Sequence, residues 1–546
     1  MQSGRRFWGW GVDDAGPTPA QQRKLGENVA ARFGTEAREP IPPPTIDEIE
    51  LPAPRVAAPG ALAAMCTDDP RERAGHTYGK SFRDVWRGLH RDFSHPPDLV
   101  AIPRDEADVT ALLDWCADTG VAAVPYGGGS SVVGGIECDV GDAYRGAVSI
   151  DLRALDRVIE IDRVSRAARI QAGTYGPALE EQLRPHALTL RHFPQSFEFS
   201  TLGGWLATRS GGHFATLHTH IDDFVESIRA VTPRGVWESR RLPGSGAGPS
   251  PDRLLLGSEG ILGIITEAWM RVQDRPTFRA SATARFPTFD AAVDAARALS
   301  QSGLYPANCR LLDGVEAAVT GADDSGDALL LVAFESGDHP LGPWIERAVE
   351  CARDHGGIVA GDGISVRGGS EAEGAREGAA GSWRNAFIRA PYTRDALVAL
   401  GVISETFETA CTWDAFPALH DDVTRAVLDT AEAAGAWPAL VTCRFTHVYP
   451  DGPAPYFTVL ASGTEPEQLA QWEAIKAAAG AVIERHHGTI THHHAVGRDH
   501  RRWYDRQRPD PFAAALRAAK AAIDPAGILN PGVLIDPDDS VLDGRR

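Results

Sequence analysis

A run of three glycines and two serines follows directly after an apolar, strand-like stretch and limits the folds open to this chain. Residues 121–131 read VAAVPYGGGSS. Such a turn lets the main chain approach a ligand closely and directs successive N–H groups at an anion, with the serine hydroxyls as further donors. The spacing matches neither G-x-G-x-x-G nor the P-loop pattern, so the common nicotinamide and nucleoside-triphosphate sites are not expected. The turn predicts a different cradle for a pyrophosphate.

Two further glycine turns follow along the chain. Residues 193–212 (FPQSFEFSTLGGWLATRSGG) place a Ser-Thr pair and two glycines at the start of a short helix, whose N-terminus favours an anion or the polar edge of a flavin. Residues 256–266 (LGSEGILGIIT) lead through a glycine turn into an apolar strand. Each stretch alone is equally compatible with an ordinary turn, so the prediction depends on their occurrence in this order.

Length, charge and cysteine usage narrow the class of protein. A chain of 546 residues is too long for one ordinary core, so two or three domains are expected. The net charge of -20 opposes binding to nucleic acid. No apolar stretch reaches the roughly 20 residues that span a bilayer, and the N-terminus lacks the apolar core of a signal peptide. The seven cysteines are scattered, which predicts reduced, mostly buried thiols in a cytoplasmic protein.

The order of strand-like and helix-like stretches predicts an α+β fold, because the two types are mixed and do not alternate strictly. A strand, an amphipathic helix over residues 105–119 and a second strand begin the first domain. A new series of helices and strands begins after residue 276. Within it, residues 361–382 are small, polar and rich in glycine, and we expect a mobile loop there.

Taken together and in order, the PxGGGSS turn, the P-x-S-x-E-x-S-T-x-G-G stretch, the GSEG-x-LG-I-I-T stretch and a closing N-P-G resemble the FAD-binding fold of the vanillyl-alcohol-oxidase superfamily. Within that superfamily, the stretches FWGWG, FEFSTLGGWLATR, PYTRD, SETFETACTWD and ITHHHAVG resemble the alkyldihydroxyacetonephosphate synthase family. The likeness covers nearly the whole chain. It implies a PCMH-type FAD-binding domain of two subdomains, an α+β cap domain for the substrate and a short C-terminal segment.

The resemblance also implies domain boundaries. We expect an N-terminal helical and linker segment over residues 1–92, the FAD-binding domain over 93–275, the cap domain over 276–485 and a C-terminal active-site segment over 486–546.

The resemblance implies that FAD binds to residues of the three glycine turns. We expect FAD to be held without a covalent bond, because the first turn contains neither His nor Cys. His213 lies in an R-S-G-G-H stretch that is similar to the flavin-linked histidine motif of berberine-bridge-type relatives, but it follows the first turn by a long interval. The expected cofactor-binding residues are Pro125, Gly127, Gly128, Gly129, Ser130, Ser131, Pro194, Ser196, Thr201, Gly203, Gly204, Glu259, Gly260 and Ile265.

The activity that the resemblance implies is exchange of the acyl chain of acyl-dihydroxyacetonephosphate for a fatty alcohol, without net oxidation or reduction. Guanidinium and imidazole groups would hold the substrate phosphate, and a base would remove a proton next to the ketone. Tyr456 is a candidate base if nearby cations lower its pKa. The positions that match active residues of the family are His192, Arg310, Arg394, Tyr456, His492, His493 and His494.

Several alternatives stay open at this point. The H-x-x-D-G-like stretch THVYPDG favours an FAD-linked oxidoreductase of the D-2-hydroxy-acid dehydrogenase type, in which His447 and Asp451 would bind a metal with the histidine run. We expect no metal. A third hypothesis is a flavin-binding protein without activity. Family members are often dimers, so a homodimer is a further expectation. Because the expected substrates are lipids, we expect peripheral contact with a membrane, through a patch that includes Phe7, Trp8 and Trp10. The alternative is that these aromatic side chains pack on the FAD domain.

Overall fold

The computed structural model describes residues 4–218, 220–369 and 378–536. Helices and strands are mixed along these residues, and their strands form sheets of four, five, two and seven strands. This is the α+β architecture that the sequence predicts. We call the part built on the first three sheets the first domain, and the part built on the seven-stranded sheet the cap domain.

The N-terminal part of the chain is largely extended. Its first helix begins where the Thr18 hydroxyl accepts a hydrogen bond from the Gln21 N–H, and it ends at Gly34 in the left-handed region. The proline-rich residues 36–60 that follow contain no long element, since proline cannot donate a backbone hydrogen bond. The helices of this part are α1 (Pro19–Phe33), α2 (Pro70–Gly75) and α3 (Phe82–Leu89).

A four-stranded sheet begins the first domain. Its strands are β1 (Cys66–Thr67), β2 (Leu99–Ala101), β3 (Val121–Tyr126) and β4 (Gly146–Asp151), and helix α4 (Glu106–Thr119) connects β2 to β3. The order is β1-β2-β4-β3, with β2, β4 and β3 parallel and β1 antiparallel at one edge. The Asp105 carboxylate caps α4 by accepting a hydrogen bond from the Asp108 N–H, close to the predicted start.

A five-stranded antiparallel sheet in the order β5-β6-β10-β8-β9 completes the first domain. A two-stranded sheet of β7 and β11 lies at its end. The strands are β5 (Val158–Asp162), β6 (Ala167–Gln171), β7 (Leu188–Thr189), β8 (Val225–Thr232), β9 (Gly235–Glu238), β10 (Ile264–Arg271) and β11 (Gln273–Asp274). The helices are α5 (Gly176–Leu183), α6 (Leu202–Thr208), α7 (Ala215–His218) and α8 (Pro251–Leu255).

The cap domain is a seven-stranded antiparallel sheet in the order β15-β12-β14-β13-β17-β18-β16. Its strands are β12 (Phe278–Phe286), β13 (Asn308–Leu312), β14 (Ala328–Ser336), β15 (Ile364–Gly368), β16 (Val402–Glu408), β17 (Ala439–Val448) and β18 (Pro453–Ser462). Its helices are α9 (Phe289–Gln301), α10 (Gly314–Val319), α11 (Gly342–Asp354), α12 (Gly378–Ala399), α13 (Phe416–Ala433) and α14 (Gln468–Arg485).

After the cap domain the chain returns to the first domain. Residues beyond α14 form α15 (Arg501–Gln507) and α16 (Asp510–Ile523). Leu529 then pairs with Ala123 of β3 in a parallel bridge, and Ile528 and Val533 are buried in the core of the first domain. Because the chain must cross from one domain to the other, the histidine run at residues 492–494 lies at the boundary between them.

The N-terminal aromatic residues do not form the membrane patch that the sequence allowed. Phe7, Trp8 and Trp10 are buried and pack into the core that α3 shares with the cap sheet. The alternative, packing on the first domain, holds for Trp10, whose ring centroid lies 6.3 Å from that of Phe199. These side chains join parts of the molecule and are not available to lipid.

The prediction of a mobile loop over residues 361–382 is wrong over much of that range. Residues Ile364–Gly368 form β15, which pairs with β12 at the edge of the cap sheet. Residues from 378 onward belong to α12. Residues 370–377 lie outside the described residues. The prediction failed because it considered only the local glycine content. An edge strand such as β15 is stabilised by backbone hydrogen bonds to a strand that is distant in sequence, here residues 278–282.

Two expectations from composition can be compared with the structure. All seven cysteines lie within the described residues and are free, and five of them are buried, which confirms reduced, mostly buried thiols. Every helix in the described part of the chain is too short or too polar to cross a membrane.

Candidate active site

One cavity lies between the first domain and the cap domain, and it brings the predicted cofactor turns together. All fourteen residues that the sequence assigned to the cofactor line it. The turn after β3, the start of α6 and the turn before β10 supply one side of the cavity. Helix α12, the strands β16, β17 and β18, and the C-terminal segment supply the other side. Four predicted catalytic residues also line it, namely Arg394, Tyr456, His493 and His494.

The turn after β3 is packed so closely that its three glycines have no room for side chains. A Cβ atom at Gly128 would lie 1.9 Å from the Phe199 carbonyl oxygen, and Gly129 has a φ of +68°. No acceptor in the described residues bonds to the N–H groups of Gly128, Gly129 or Ser130, which line the cavity. Backbone N–H groups in such a place need a partner. The turn therefore fits a pyrophosphate.

The second turn joins the first one to the five-stranded sheet. The Thr201 hydroxyl lies at the start of α6 and accepts a hydrogen bond from the Gly204 N–H at 3.4 Å. The Gly203 N–H donates to the Ala172 carbonyl at 2.7 Å, and a Cβ atom at Gly203 would lie 2.8 Å from the Ala172 Cβ. A Cβ at Gly127 would meet the Thr201 hydroxyl at 2.4 Å. The two turns are thus in direct contact.

The third turn anchors the C-terminal segment. The Glu259 carboxylate accepts hydrogen bonds from the N–H groups of Val496 and Gly497, both at 2.9 Å. The Asn530 amide donates to the Glu259 carbonyl at 2.7 Å. Burial raises the pKa of Glu259 to about 7, although the two backbone hydrogen bonds lower it. Beyond lining the cavity, Glu259 therefore holds the histidine run in place through the residues that follow it.

Two arginines of the cap domain line the cavity. The Arg394 guanidinium, on α12, donates to the Thr406 hydroxyl at 2.6 Å, and no carboxylate of the described residues lies within ion-pair distance of it. Arg444, on β17, pairs with Glu316 at 2.5 Å, and its guanidinium lies 4.0 Å from the centre of the Tyr456 ring. Sequence reasoning missed Arg444, since an arginine in an apolar strand gives no signal before its partners are known.

The aromatic rings of the site pack against each other. Tyr456 lies on β18, and its ring is nearly parallel to that of His493, with centroids 6.1 Å apart. The His494 ring meets Tyr456 edge-on at 5.4 Å. Burial holds the pKa of His494 well below the usual value, so His494 is neutral near pH 7. The cavity thus presents a phenol and two imidazoles next to the arginines.

A buried glutamate, Glu408, holds the histidine run. It ends β16, and its carboxylate accepts the backbone N–H groups of His492, His493 and His494 at 2.8 to 3.0 Å. The Thr491 hydroxyl donates to the same carboxylate at 2.8 Å. Burial raises the pKa of Glu408, but attraction to the His493 ring and the hydrogen bond from that side chain outweigh burial and hold this pKa well below its usual range. Sequence reasoning missed Glu408 although it lies in the SETFETACTWD stretch.

Three predicted catalytic residues do not line the cavity. Arg310 is buried on β13 and lies 3.5 Å from the His213 carbonyl oxygen. His192 is buried, its Nε2 lies 2.8 Å from the Ser210 hydroxyl, and burial lowers its pKa to about 3. His492 faces away from the cavity toward Tyr449, whose hydroxyl lies 2.7 Å from His492 Nε2. These residues support the lining from behind, and a direct role for them stays a prediction.

Among the described residues, two sets of side chains have ligand atoms close enough together to hold a metal ion. Asp451, which the dehydrogenase alternative paired with His447, belongs to neither set. His447 Nε2 lies 3.1 Å from the Gly212 carbonyl oxygen, and Nδ1 lies 3.0 Å from the Thr446 hydroxyl. Because the Gly212 carbonyl oxygen can only accept, His447 Nε2 carries the proton and donates to it, and Nδ1 accepts from the Thr446 hydroxyl. Both nitrogens of His447 therefore already have hydrogen-bond partners in the protein. The sets are His447, His492 and His493, and Glu408, His493 and His494.

Comparison with known proteins agrees with this geometry. The FAD binding domain family matches residues 97–239, and the family of FAD linked oxidases, C-terminal domain, matches residues 275–534. Alkyldihydroxyacetonephosphate synthase from Dictyostelium discoideum is 32% identical over 500 residues, covering 87% of this chain and 79% of that protein. The mitochondrial cytochrome D-lactate dehydrogenase of Arabidopsis thaliana is 34% identical over 222 residues, covering 40% of this chain and 38% of its own.

A solved structure of an alkyldihydroxyacetonephosphate synthase has a TM-score of 0.79 and 27% identity with this chain. The match covers 96% of this chain and 98% of the chain in the solved structure, so the likeness extends over both domains. The likeness to the Arabidopsis thaliana dehydrogenase covers less than half of either protein. This chain belongs to the alkyldihydroxyacetonephosphate synthase family of FAD-binding enzymes.

Proposed function

We propose that this protein is an alkyldihydroxyacetonephosphate synthase, which exchanges the acyl chain of acyl-dihydroxyacetonephosphate for a fatty alcohol. One observation carries the proposal: the cavity lined by the cofactor turns is also lined by Arg394, Tyr456, His493 and His494. A phosphate-bearing substrate bound there has cations for its phosphate and proton-transfer groups for its carbon skeleton. The family likeness over both domains supports the same assignment.

The residues of the first domain fit FAD. The uncommitted N–H groups at the turn after β3 suit its pyrophosphate, and the three glycines, which lie close to Thr201, form a narrow wall of main chain. Bound FAD supplies the electrophilic ring at which the exchange takes place. The protein positions the substrate beside it.

We assign the substrate phosphate to Arg394, with Arg444 as a second cation. Arg394 has a hydroxyl and a carbonyl for partners and no carboxylate of the described residues within ion-pair distance, whereas Arg444 forms an ion pair with Glu316. Apolar residues line the same cavity and suit the alkyl chains, since burial of each CH₂ contributes about 0.8 kcal/mol. These apolar lining residues include Val319, Ala386, Ala390, Leu397 and Leu460.

An anaerobic titration tests the proposed function. Palmitoyl-dihydroxyacetonephosphate should bleach the flavin absorbance without an electron acceptor, and addition of hexadecanol should restore it with formation of the alkyl product and palmitate. D-lactate and D-2-hydroxyglutarate are the controls and should leave the spectrum unchanged. Bleaching by a hydroxy acid and not by the acyl substrate would assign the protein to the dehydrogenase alternative.

We propose that FAD is bound without a covalent link. His213 does not line the cavity: its N–H donates to the Phe193 carbonyl, and its own carbonyl accepts the Asn308 amide at 2.7 Å. Precipitation of the protein with acid is therefore expected to release all of the flavin into the supernatant. Flavin that stays in the washed pellet and migrates with the chain in a denaturing gel would contradict this prediction.

We propose that the reaction needs no metal. Dialysis against EDTA is expected to leave both the exchange rate and the thermal midpoint unchanged, because Glu408 and the His447 nitrogens are occupied by protein hydrogen bonds. The assay should be repeated after addition of Zn²⁺ or Mn²⁺. A loss of activity on dialysis that either ion restores would show that one of the histidine sets is a working metal site.

We further propose a cytoplasmic homodimer in peripheral contact with membranes that contain its lipid substrates. The net charge of -20 opposes electrostatic attraction to anionic lipid, so contact would depend on apolar residues and substrate. Co-sedimentation with neutral vesicles, with and without fatty alcohol, tests the membrane contact, and sedimentation velocity tests the dimer.

A further inference from the structure

The first described residues of the chain form a small hairpin that lies against both sides of the cavity. Arg5 and Val12 pair in an antiparallel bridge, and we call residues 5–12 the N-terminal hairpin. The side chain of Trp10, between these two residues, lines the cavity. A segment that precedes both domains in sequence therefore reaches the site.

Two glycines of the hairpin have no space for a side chain. A Cβ atom at Gly9 would lie 2.5 Å from Oδ2 of Asp395, and one at Gly11 would lie 2.1 Å from the ring of Tyr392. Gly11 also has a φ of +83°, a conformation that glycine adopts without steric cost. Asp395 and Tyr392 belong to α12, so these glycines bring the main chain of the hairpin into direct contact with that helix.

The contact with α12 is made at the residue next to Arg394. Asp395 is 3% exposed, and its carboxylate accepts a hydrogen bond from the Trp10 main-chain N–H at 2.8 Å. The same carboxylate pairs with the Arg6 guanidinium at 3.4 Å. Because Arg394 and Asp395 are consecutive residues of one helix, holding the Asp395 side chain also fixes the place from which Arg394 reaches the cavity.

One carbonyl group connects the hairpin to Arg394 a second time. The Trp10 indole N–H donates to the Lys80 carbonyl at 3.1 Å, and the Arg394 guanidinium donates to the same oxygen at 3.5 Å. The Lys80 N–H in turn donates to the Ser131 carbonyl at 2.6 Å, at the end of the turn after β3. Trp10 and Arg394 thus share a partner that is itself hydrogen-bonded to the predicted pyrophosphate turn.

On its other side the hairpin supports the cofactor turns. The Arg5 guanidinium donates to the Tyr175 hydroxyl at 2.7 Å and to the Phe199 carbonyl at 3.0 Å. The Tyr175 hydroxyl donates to the Gly127 carbonyl at 3.3 Å, in the turn after β3. The Phe199 carbonyl belongs to the second turn and is the oxygen that a Cβ atom at Gly128 would approach at 1.9 Å. Arg5 therefore contacts the second turn directly and the first turn through Tyr175.

We propose that the N-terminal hairpin is part of the active site, in which Arg5 positions the cofactor turns and Asp395 positions Arg394 for the substrate phosphate. Neither Arg5 nor Asp395 lines the cavity, so each acts through the residues that do. The phosphate at Arg394 rests on the proposed function, whereas the support of the cofactor turns does not. The hairpin joins the two halves of the site, since the turns belong to the first domain and α12 to the cap domain.

Flavin release from the FAD-bound protein tests the role of Arg5 without any substrate. Arg5→Ala should raise Kd for FAD about 10-fold, the low end of what a charge-assisted hydrogen bond contributes, as measured by the fluorescence of flavin released on dilution. Arg5→Lys keeps the charge but lacks the planar fork that reaches two oxygens, so it should recover only part of the affinity.

Arg38→Ala is the matched control for the flavin measurement. Arg38 also precedes both domains, and its guanidinium donates to the carbonyls of Gly401 and Gly463 at 3.1 and 2.8 Å. None of these three residues lines the cavity. Loss of the same type of hydrogen bond should therefore leave Kd for FAD at the wild-type value.

Binding of dihydroxyacetone phosphate to the FAD-bound protein tests the role of Asp395. Removal of a negative charge would by itself favour an anion beside Arg394. If Asp395 positions Arg394, Asp395→Asn should instead raise Kd about 10-fold in calorimetry, and it should raise KM for the acyl substrate with kcat little changed. A loss of affinity in this variant cannot come from the change of charge, so it measures position.

Asp98→Asn is the matched control for Asp395→Asn. Asp98 is 2% exposed, pairs with Arg55 at 2.9 Å and accepts the Ala147 N–H at 2.7 Å. It therefore has the same kinds of partner as Asp395, but it does not line the cavity or adjoin a residue that does. Its replacement should leave Kd for dihydroxyacetone phosphate and KM for the acyl substrate unchanged.

Three results would overturn the proposal: an unchanged Kd for FAD in Arg5→Ala, full recovery in Arg5→Lys, and unchanged or tighter binding of dihydroxyacetone phosphate in Asp395→Asn. Full recovery in Arg5→Lys would mean that Arg5 supplies charge and not position. If the wild-type protein binds no dihydroxyacetone phosphate, the phosphate site of the proposed function is refuted, and the flavin measurements still decide whether the hairpin supports the cofactor turns.

Discussion

Replacement of Gly128 with alanine is expected to yield a folded protein that retains less than about a tenth of its FAD, a loss of at least about 1.4 kcal/mol in binding free energy. The new Cβ would lie 1.9 Å from the Phe199 carbonyl oxygen and 2.8 Å from the Ser200 Cα, so the turn must move away from the second turn. That movement displaces the N–H groups of Gly128, Gly129 and Ser130. Flavin absorbance relative to protein absorbance after gel filtration measures the effect.

A matched control keeps this result specific to the turn. Gly244 has open space around the position of a Cβ atom, so Gly244→Ala should retain full flavin content. The apoprotein of both variants should still unfold in one cooperative transition, with a lower thermal midpoint for Gly128→Ala because the turn must move away from Phe199. Full flavin occupancy in Gly128→Ala would show that the pyrophosphate binds elsewhere.

Replacement of Arg394 with alanine is expected to raise KM for the acyl substrate by about 10- to 100-fold, since each charge-assisted hydrogen bond contributes about 1.5 to 3 kcal/mol. The reason is that Arg394 is a cavity cation without a carboxylate partner among the described residues. A dianionic phosphate would provide that partner. Arg394→Lys should show an intermediate KM, because an ammonium keeps the charge but loses the bidentate geometry. Steady-state kinetics with varied acyl substrate measure both.

Arg389 offers a control on the same helix. It is exposed, does not line the cavity and lies just over one turn before Arg394, so Arg389→Ala should leave KM unchanged. The fatty alcohol carries no phosphate, and its KM should change less than that of the acyl substrate in Arg394→Ala. An equal rise for both substrates would indicate a general disturbance of α12 and not a lost phosphate contact.

The amino-acid sequence by itself determined the cofactor side of the cavity. Residues 127–131 follow β3 without a break, and the absence of side chains at residues 127–129 is a property of the three glycines themselves, whatever they pack against. The same holds for the Thr201 turn at the start of α6. Mixed strands and helices likewise predict the α+β fold. Local backbone chemistry of this kind is readable along the chain because cause and effect lie within a few residues.

Only the tertiary structure decided which polar side chains complete the site. Glu408 meets the histidine run across 85 positions of sequence, and Arg444 meets Glu316 across 128. Arg310 and His192 matched the family pattern as convincingly as Arg394, yet both are buried behind the cavity wall. The role of a charged or titratable side chain depends on its burial and on the partners within a few ångströms. Those partners are set by how distant strands pair, which the residue pattern around each one does not reveal.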